Sequence, residues 1–255
     1  MFSTRDDGPV RWLTISNPGR RNAVPMGSWR DLAAVFDDFE ASPARVLVIT
    51  GDGEDFCSGA DLSDLGGAAS TTRAYDAMTD VGAAASALHR ITKPTVAAVD
   101  GYAVGAGMNL ALGCDIVIAS ERARFAEVFV KRGLTLDFGG TWVLPRLVGL
   151  ARAKELALTG RTVEAAEAMA MGMVARVVPP ADLAGSAASL AAELAAGAPL
   201  AQRFIKTGLD TSAGSSFDDG LAYEQAAQSL LFGTADVVEG MVAFLEKRPP
   251  EFEGR

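Results

Sequence analysis

The five-residue apolar run 95-TVAAV-99 is followed by Gly101, Gly105 and Gly107 and then by Met108-Asn109-Leu110. A strand that ends in a glycine turn and gives way to a helix is a joint of α/β architecture, and it narrows the folds open to the chain. The same alternation runs through the first half, with strand patterns at 10–16, 45–50 and 95–99 and helical patterns near 28–40 and 72–90. From Gly139 onward the pattern is helical, and Leu183, Ala187, Leu190 and Leu194 recur at spacings that line one helix face. Pro199 suits the first turn of the next helix. The last helix is delimited by Thr234 as N-cap, Asp236 in the first turn, and Lys247-Arg248 before Pro249-Pro250.

The glycine burst is not a dinucleotide fingerprint. After Gly105 and Gly107, Leu110 stands where the third glycine of G-x-G-x-x-G belongs. With 255 residues, 49% of them apolar, the chain can bury a sizeable core as one large domain or two small ones. Its net charge of −9 opposes a nucleic-acid surface, which needs a basic face, so any anionic ligand must be met by local cations. No apolar run approaches the ~18 residues of a membrane-spanning helix, and the first residues lack a signal-peptide core. A cytoplasmic protein without membrane association is therefore expected.

Cys57 and Cys114 lie far apart with no clustered histidines, so both read as buried small hydrophobes and no metal site is expected. The only histidine, His89, falls at a helix end; no G-x-S-x-G elbow supplies a serine for it, and a cap or surface place is expected. The glycine turns offer different chemistry. A helix N-terminus presents unpaired amides, and the small residues Gly105-Ala106-Gly107 let a ligand approach the Ala106 N–H closely. A second turn, 55-DFCSGADL-62, follows the strand at 45–50 and sets Gly59-Ala60 before another helical turn. Two such N–H groups converging on one carbonyl oxygen would stabilise an enolate, although either turn alone equally fits an ordinary tight turn.

Taken together, 17-NPGRRNAV-24, 55-DFCSGADL-62, 93-KPTVAAVDGYAVGAGMNLALGCDIVIAS-120, 125-FAEVFVKRGLTLDFGGTWVLPRLVG-149 and 244-FLEKRPPEF-252 resemble the enoyl-CoA hydratase/isomerase family, the crotonases. The resemblance implies an α/β crotonase (ClpP-like) spiral of ββα units over residues 1–195. It also implies a helical C-terminal region, 196–255, that packs across subunits in a homotrimer or homohexamer. The substrate it implies is an acyl-CoA thioester; coenzyme A comes as part of that substrate, with no permanently bound cofactor. The family's two oxyanion donors map onto the amides of Ala60 and Ala106. Arg20 and Arg21 are the nearest cations for the phosphates of coenzyme A, Asp61 and Leu62 map beside the adenine or pantetheine, and Phe244 and Lys247 reach a neighbouring subunit's ligand.

The hydratases of this family use two glutamates to activate water and deliver a proton. By register these positions hold Asn109 and Phe129, and neither can transfer a proton. Glu127 lies two residues before the second position on an extended segment, so it is expected to face elsewhere as a solvated or ion-paired carboxylate. Asp137, in 133-GLTLDFGGTW-142, remains. Phe129 with Asp137 looks like the branch containing ring-1,2-epoxyphenylacetyl-CoA isomerase, and dienoyl-CoA isomerases use the same aspartate position. That pattern favours an enoyl-CoA double-bond isomerase in which Asp137 moves a proton between carbons. Phe129, Phe138 and Trp142 would desolvate Asp137 and make it a better base. The competing role for Asp137 is a cap on the helix at Gly139-Gly140. The competing functions are a hydratase using Glu127 with Asp137, and a non-catalytic acyl-CoA-binding subunit. The acyl pocket is expected along 63–86.

Overall fold

The computed structural model describes residues 1–61, 71–212 and 214–255 of the chain. Its strands among these are β1 (Phe2–Asp7), β2 (Val10–Ile15), β3 (Val24–Pro25), β4 (Val46–Gly51), β5 (Ala60–Asp61), β6 (Thr95–Val99), β7 (Tyr102–Val104), β8 (Ile116–Ser120), β9 (Arg124–Ala126), β10 (Thr162–Glu164) and β11 (Arg176–Val178). The helices are α1 (Trp29–Ala41), α2 (Thr71–Arg90), α3 (Ala106–Leu112), α4 (Gly140–Val148), α5 (Leu150–Thr159), α6 (Ala165–Met171), α7 (Leu183–Ala195), α8 (Pro199–Ser212), α9 (Phe217–Leu231) and α10 (Ala235–Glu246).

The main sheet runs in the order β1-β2-β4-β6-β8-β11, and every pairing except β1 with β2 is parallel. A parallel sheet is covered on both faces, so its strands read as continuous apolar runs rather than alternating ones. Here the side chains divide by the two-residue period. Leu47, Ile49, Ala97 and Val99 join the core with Trp29, Phe36 and Leu110, while Val46, Val48, Val96 and Ala98 pack on the other side against α7.

Four sequence expectations change in three dimensions. The strand β1 carries mostly exposed, polar residues; it is an edge strand held by its backbone to β2 across a turn at Gly8, so no apolar period announces it. The helical second half is interrupted by β10 and β11, three residues each, too short to leave a pattern. On α7 the buried stripe is Leu183, Ala187, Ala191 and Ala195, with Leu190 and Leu194 at its margin, because alanine lets the helix approach the sheet closely. Between β6 and α3 the chain also forms β7, which pairs in parallel with β9; β10 completes this small sheet.

The helices α8 to α10 carry exposed apolar side chains, among them Ile205, Leu209, Leu230, Phe244 and Leu245. Thr234 caps α10 through its side chain, which accepts from the Val237 amide, as its place before the helix predicts. Among the described residues, no single helix is long and apolar enough to cross a membrane.

Candidate active site

The segment 55–61 is stitched to β7. The Cys57 amide donates to Tyr102 O at 2.9 Å and the Val104 amide donates to Cys57 O at 2.9 Å. This pairing continues the line of β7 towards the start of α3 and sets Gly59 against it. A Cβ built on Gly59 would lie 3.4 Å from the Ala106 nitrogen and 2.8 Å from Val104 O. Gly59 also has φ +94°, a conformation that L side chains rarely adopt, so glycine is required there on both counts. Gly107 is equally constrained, since a Cβ would meet Cys57 O at 2.1 Å.

Ala106 is the first residue of α3, where helix geometry leaves the amide without an intrahelical partner. Among the described residues no backbone carbonyl accepts from it. Ala60 lies in β5, paired in parallel with Val24, and the helical turn expected after it lies outside the described residues. Both alanines nonetheless lie beside the Gly59 seam, so the two turns are brought together in space.

The acid–base groups are assembled by a second set of contacts. The Gly105 amide donates to Ala126 O at 2.9 Å, which brings the end of β9 beside the start of α3. Glu127 follows β9 and precedes a 3₁₀ turn over Val128–Arg132. One turn into α3, Asn109 donates from Nδ2 to Asp137 O at 3.0 Å. Gly140 lies against the same amide group; a Cβ there would stand 2.4 Å from Asn109 Nδ2, so any larger residue must displace the Asn109 side chain.

The result is a cluster of polar atoms that the fold does not satisfy. Five buried side-chain nitrogen or oxygen atoms have no hydrogen-bond partner among the described residues, and four of them are Asn109 Oδ1, both Glu127 carboxyl oxygens and Asp137 Oδ1. Buried polar groups are ordinarily paired, so their concentration in one place marks a site held ready for chemistry. Burial pushes Asp137 up to about 6. Glu127 is only 1% exposed; burial, reinforced by the charge of Asp137, pushes it up to about 8, with the nearby Asn109 amide acting weakly in the opposite sense. Both shifts follow from the cost of placing an ionised carboxylate in a medium of low polarity.

Glu127 therefore overturns its sequence expectation: it is neither solvated nor ion-paired. It was expected to face elsewhere because it stands two residues before the second glutamate position, but residues two apart along a strand share a face, and Glu127 follows the buried Phe125 at that spacing at the end of β9. The capping role for Asp137 also fails. Gly139, with φ +80°, occupies the N-cap position of α4, and no side chain caps that helix end. Of the three expected aromatic neighbours, Phe138 is buried against Trp29 and Phe129 lies at Gly105, where a Cβ would be 3.4 Å from its ring. Trp142 is instead 39% exposed and packs on His89 and Arg146.

Arg20 and Arg21 are exposed on a loop held down by Asn22, whose Nδ2 donates to Asp52 O and Asp55 O. Arg20 lies 4.0 Å from Asp61, while Arg21 lies 3.7 Å from Asp55 and over the Tyr102 ring. Leu62 and part of the 63–86 segment lie outside the described residues. Phe244, 82% exposed, and Lys247 sit at the end of α10, and no described hydrogen bond or ion pair within the chain links either side chain to the two turns.

A separate cavity of about 870 Å³ opens between α2, α4 and α8, walled by His89, Leu112, Phe138, Trp142, Ile205 and Leu209 among others. None of Ala60, Ala106, Asn109, Glu127 or Asp137 belongs to its wall. Cys57 and Cys114 are buried, as expected, and burial pushes both thiols up to about 12. Among the described residues no group of three histidines, cysteines or carboxylates is placed to hold a metal ion.

An α/β core carrying two glycine turns held against each other and a cluster of unpaired buried carboxylate oxygens points to an acyl-transfer or enolate-forming enzyme, and comparison with known proteins gives the family. The profile of the enoyl-CoA hydratase/isomerase family matches residues 6–255. The 1,2-epoxyphenylacetyl-CoA isomerase of Escherichia coli K12 is 38% identical, over 96% of this chain and 95% of its own. The short-chain-enoyl-CoA hydratase of Clostridium acetobutylicum is 35% identical, over 96% of this chain and 94% of its own. The crystal structure of an enoyl-CoA hydratase from Bacillus anthracis superposes with a TM-score of 0.95 at 31% identity, covering 100% of this chain and 99% of the other. The chain belongs to the enoyl-CoA hydratase/isomerase family and has the crotonase fold.

Proposed function

We propose that this protein shifts a carbon–carbon double bond in an enoyl-CoA thioester, with Asp137 as the base and the amides of Ala60 and Ala106 as the oxyanion hole. The observation that carries this reading is the Asp137 carboxyl: it caps nothing, has a buried oxygen without a partner, and is poised near 6, so that it is an ionised base at neutral pH. Removal of a proton from the α-carbon sends charge to the thioester oxygen. Two fixed N–H donors there lower the barrier because they need no reorganisation. Asn109 and Phe129 occupy the two positions where the family's hydratases place glutamate, which weighs against the usual addition of water.

Arg20, Arg21, Asp61 and Leu62 are the coenzyme A contacts of this reading, and coenzyme A enters and leaves as part of the substrate. The exposed Phe244 and the neighbouring Lys247 fit contacts made to a ligand on another copy of the chain, in a homotrimer or homohexamer. Hydration is the second reading, favoured by the buried Glu127, which supplies another carboxyl beside Asp137. Incubation with a 3-enoyl-CoA and, separately, with crotonyl-CoA, followed by mass spectrometry, tests the two. Isomerisation leaves the mass unchanged and moves the double bond; a gain of one water selects hydration. Binding of both thioesters without turnover would refute an enzymatic role.

A further inference from the structure

The fold treats the two most buried carboxylates among the described residues in opposite ways. Asp236 is buried at the start of α10, and its oxygens accept from the amides of Glu253 and Gly254 at 2.8 and 2.9 Å. Glu127 is buried more completely and neither of its oxygens has a hydrogen-bond partner. Among the described residues, the charged group that acts on it is another carboxylate, Asp137. An ionised Glu127 would thus be desolvated and repelled by Asp137, with the Asn109 side chain the smallest influence and the one in its favour, whereas a protonated Glu127 is a neutral donor. Asn109 Oδ1, also buried and without a donor among the described residues, is an acceptor in the same cluster.

Resting on the double-bond shift proposed above, we infer that Glu127 is the second acid–base group of the site: it carries the proton that Asp137 lacks and delivers it to the far carbon of the dienolate. Starting from a 3-enoyl-CoA, the Asp137 carboxylate takes a proton from C2, and that C–H electron pair forms the C1–C2 double bond of a dienolate whose charge rests on the thioester oxygen. As the enolate collapses, the oxygen's electron pair restores the carbonyl, the C1–C2 pair becomes the C2–C3 double bond, and the old C3–C4 pair takes the Glu127 proton at C4. The enzyme is left with protonated Asp137 and ionised Glu127, and one proton passing from the first to the second restores it. No proton is gained or lost over the cycle, and no other reactant is needed. Division of labour follows from the surroundings, since the more buried carboxyl keeps the shared proton and the less buried one gives it up.

The test uses the full chain in D₂O with a 3-enoyl-CoA thioester. Early product is analysed by mass spectrometry and by the position of its label. Two-group transfer gives one deuterium at C4 in the first product formed, because the Glu127 proton has equilibrated with solvent. Glu127→Gln preserves shape and keeps a donor, so it should retain Asp137-dependent exchange at C2 while isomerisation falls by about 100-fold or more. Unlabelled early wild-type product, or a Glu127→Gln variant that isomerises like the parent, overturns the inference and leaves Asp137 as a single base. Absence of C2 exchange in the wild-type protein refutes the isomerase reading itself and the Glu127 role with it. Independently of substrate, the infrared band of a protonated carboxyl should be present at pH 7, vanish in Glu127→Gln, and titrate at lower pH in Asp137→Asn, where the repelling charge is gone. A band unaffected by Glu127→Gln overturns the inference as well.

Discussion

The burial of Glu127 makes the stability of this protein depend on pH in a direction and window that can be worked out. Its ordinary value is 4.5 and the folded value is about 8, so the native state holds a proton that the unfolded chain releases. The sign follows by linkage: the associated stability is fully present below 4.5 and is lost as pH rises through 8. At 1.36 kcal/mol for each pH unit, the complete loss is on the order of 5 kcal/mol. Asp137, raised from 3.8 to about 6, gives a loss of the same sign, but most of it is complete by pH 6. Between pH 6 and pH 8 the slope therefore belongs mainly to Glu127 and amounts to about 2 kcal/mol. Glu127→Gln removes this titration while keeping the side chain's shape. Urea unfolding followed by tryptophan fluorescence, at one protein concentration, should show the wild type losing about 2 kcal/mol relative to the variant over that interval. Parallel profiles for the two proteins from pH 6 to pH 8 would refute the reasoning, because every other titrating group is common to both.

Three further outcomes are expected. Asp137→Asn should lose isomerisation by about 100-fold without a lower urea midpoint at pH 7, since the Asp137 side chain caps no helix and the variant no longer holds a buried charge; a folded variant with parental rate would remove Asp137 as the base. Ala106→Pro deletes one oxyanion donor at the first residue of α3, a position that tolerates proline, and should reduce turnover by about 10²–10³ with circular dichroism retained. Gly140→Ala would put a methyl group 2.4 Å from Asn109 Nδ2, so the variant should be destabilised by about 1–3 kcal/mol and should lose activity through displacement of Asn109; an unchanged urea midpoint would contradict the packing described here.

Much of the framework was legible in the sequence because it is encoded locally. Apolar runs such as Thr95–Val99 mark strands by composition, and Thr234 marks a helix start by a hydrogen bond three residues away. The glycines around Ala106 mark a place where backbone must come close to something, and Asn109 and Phe129 stand where the family resemblance expects two proton-transferring glutamates. Each of these signals lies within one element and survives without knowledge of its neighbours. Tertiary structure decided what touches what. Ala60 lies in a strand because Val24 pairs with it from 36 residues away, and β1 exists because β2 offers it an edge. The direction of Glu127 depends on the register of β9 against β7 and on the turn that begins at Val128, while the positive φ of Gly139 lets α4 start without the Asp137 side chain. Periodicity records which face of an element is apolar. It does not record which distant segment covers one side chain, and here that covering alone turns a glutamate expected to face elsewhere into a buried, proton-holding group.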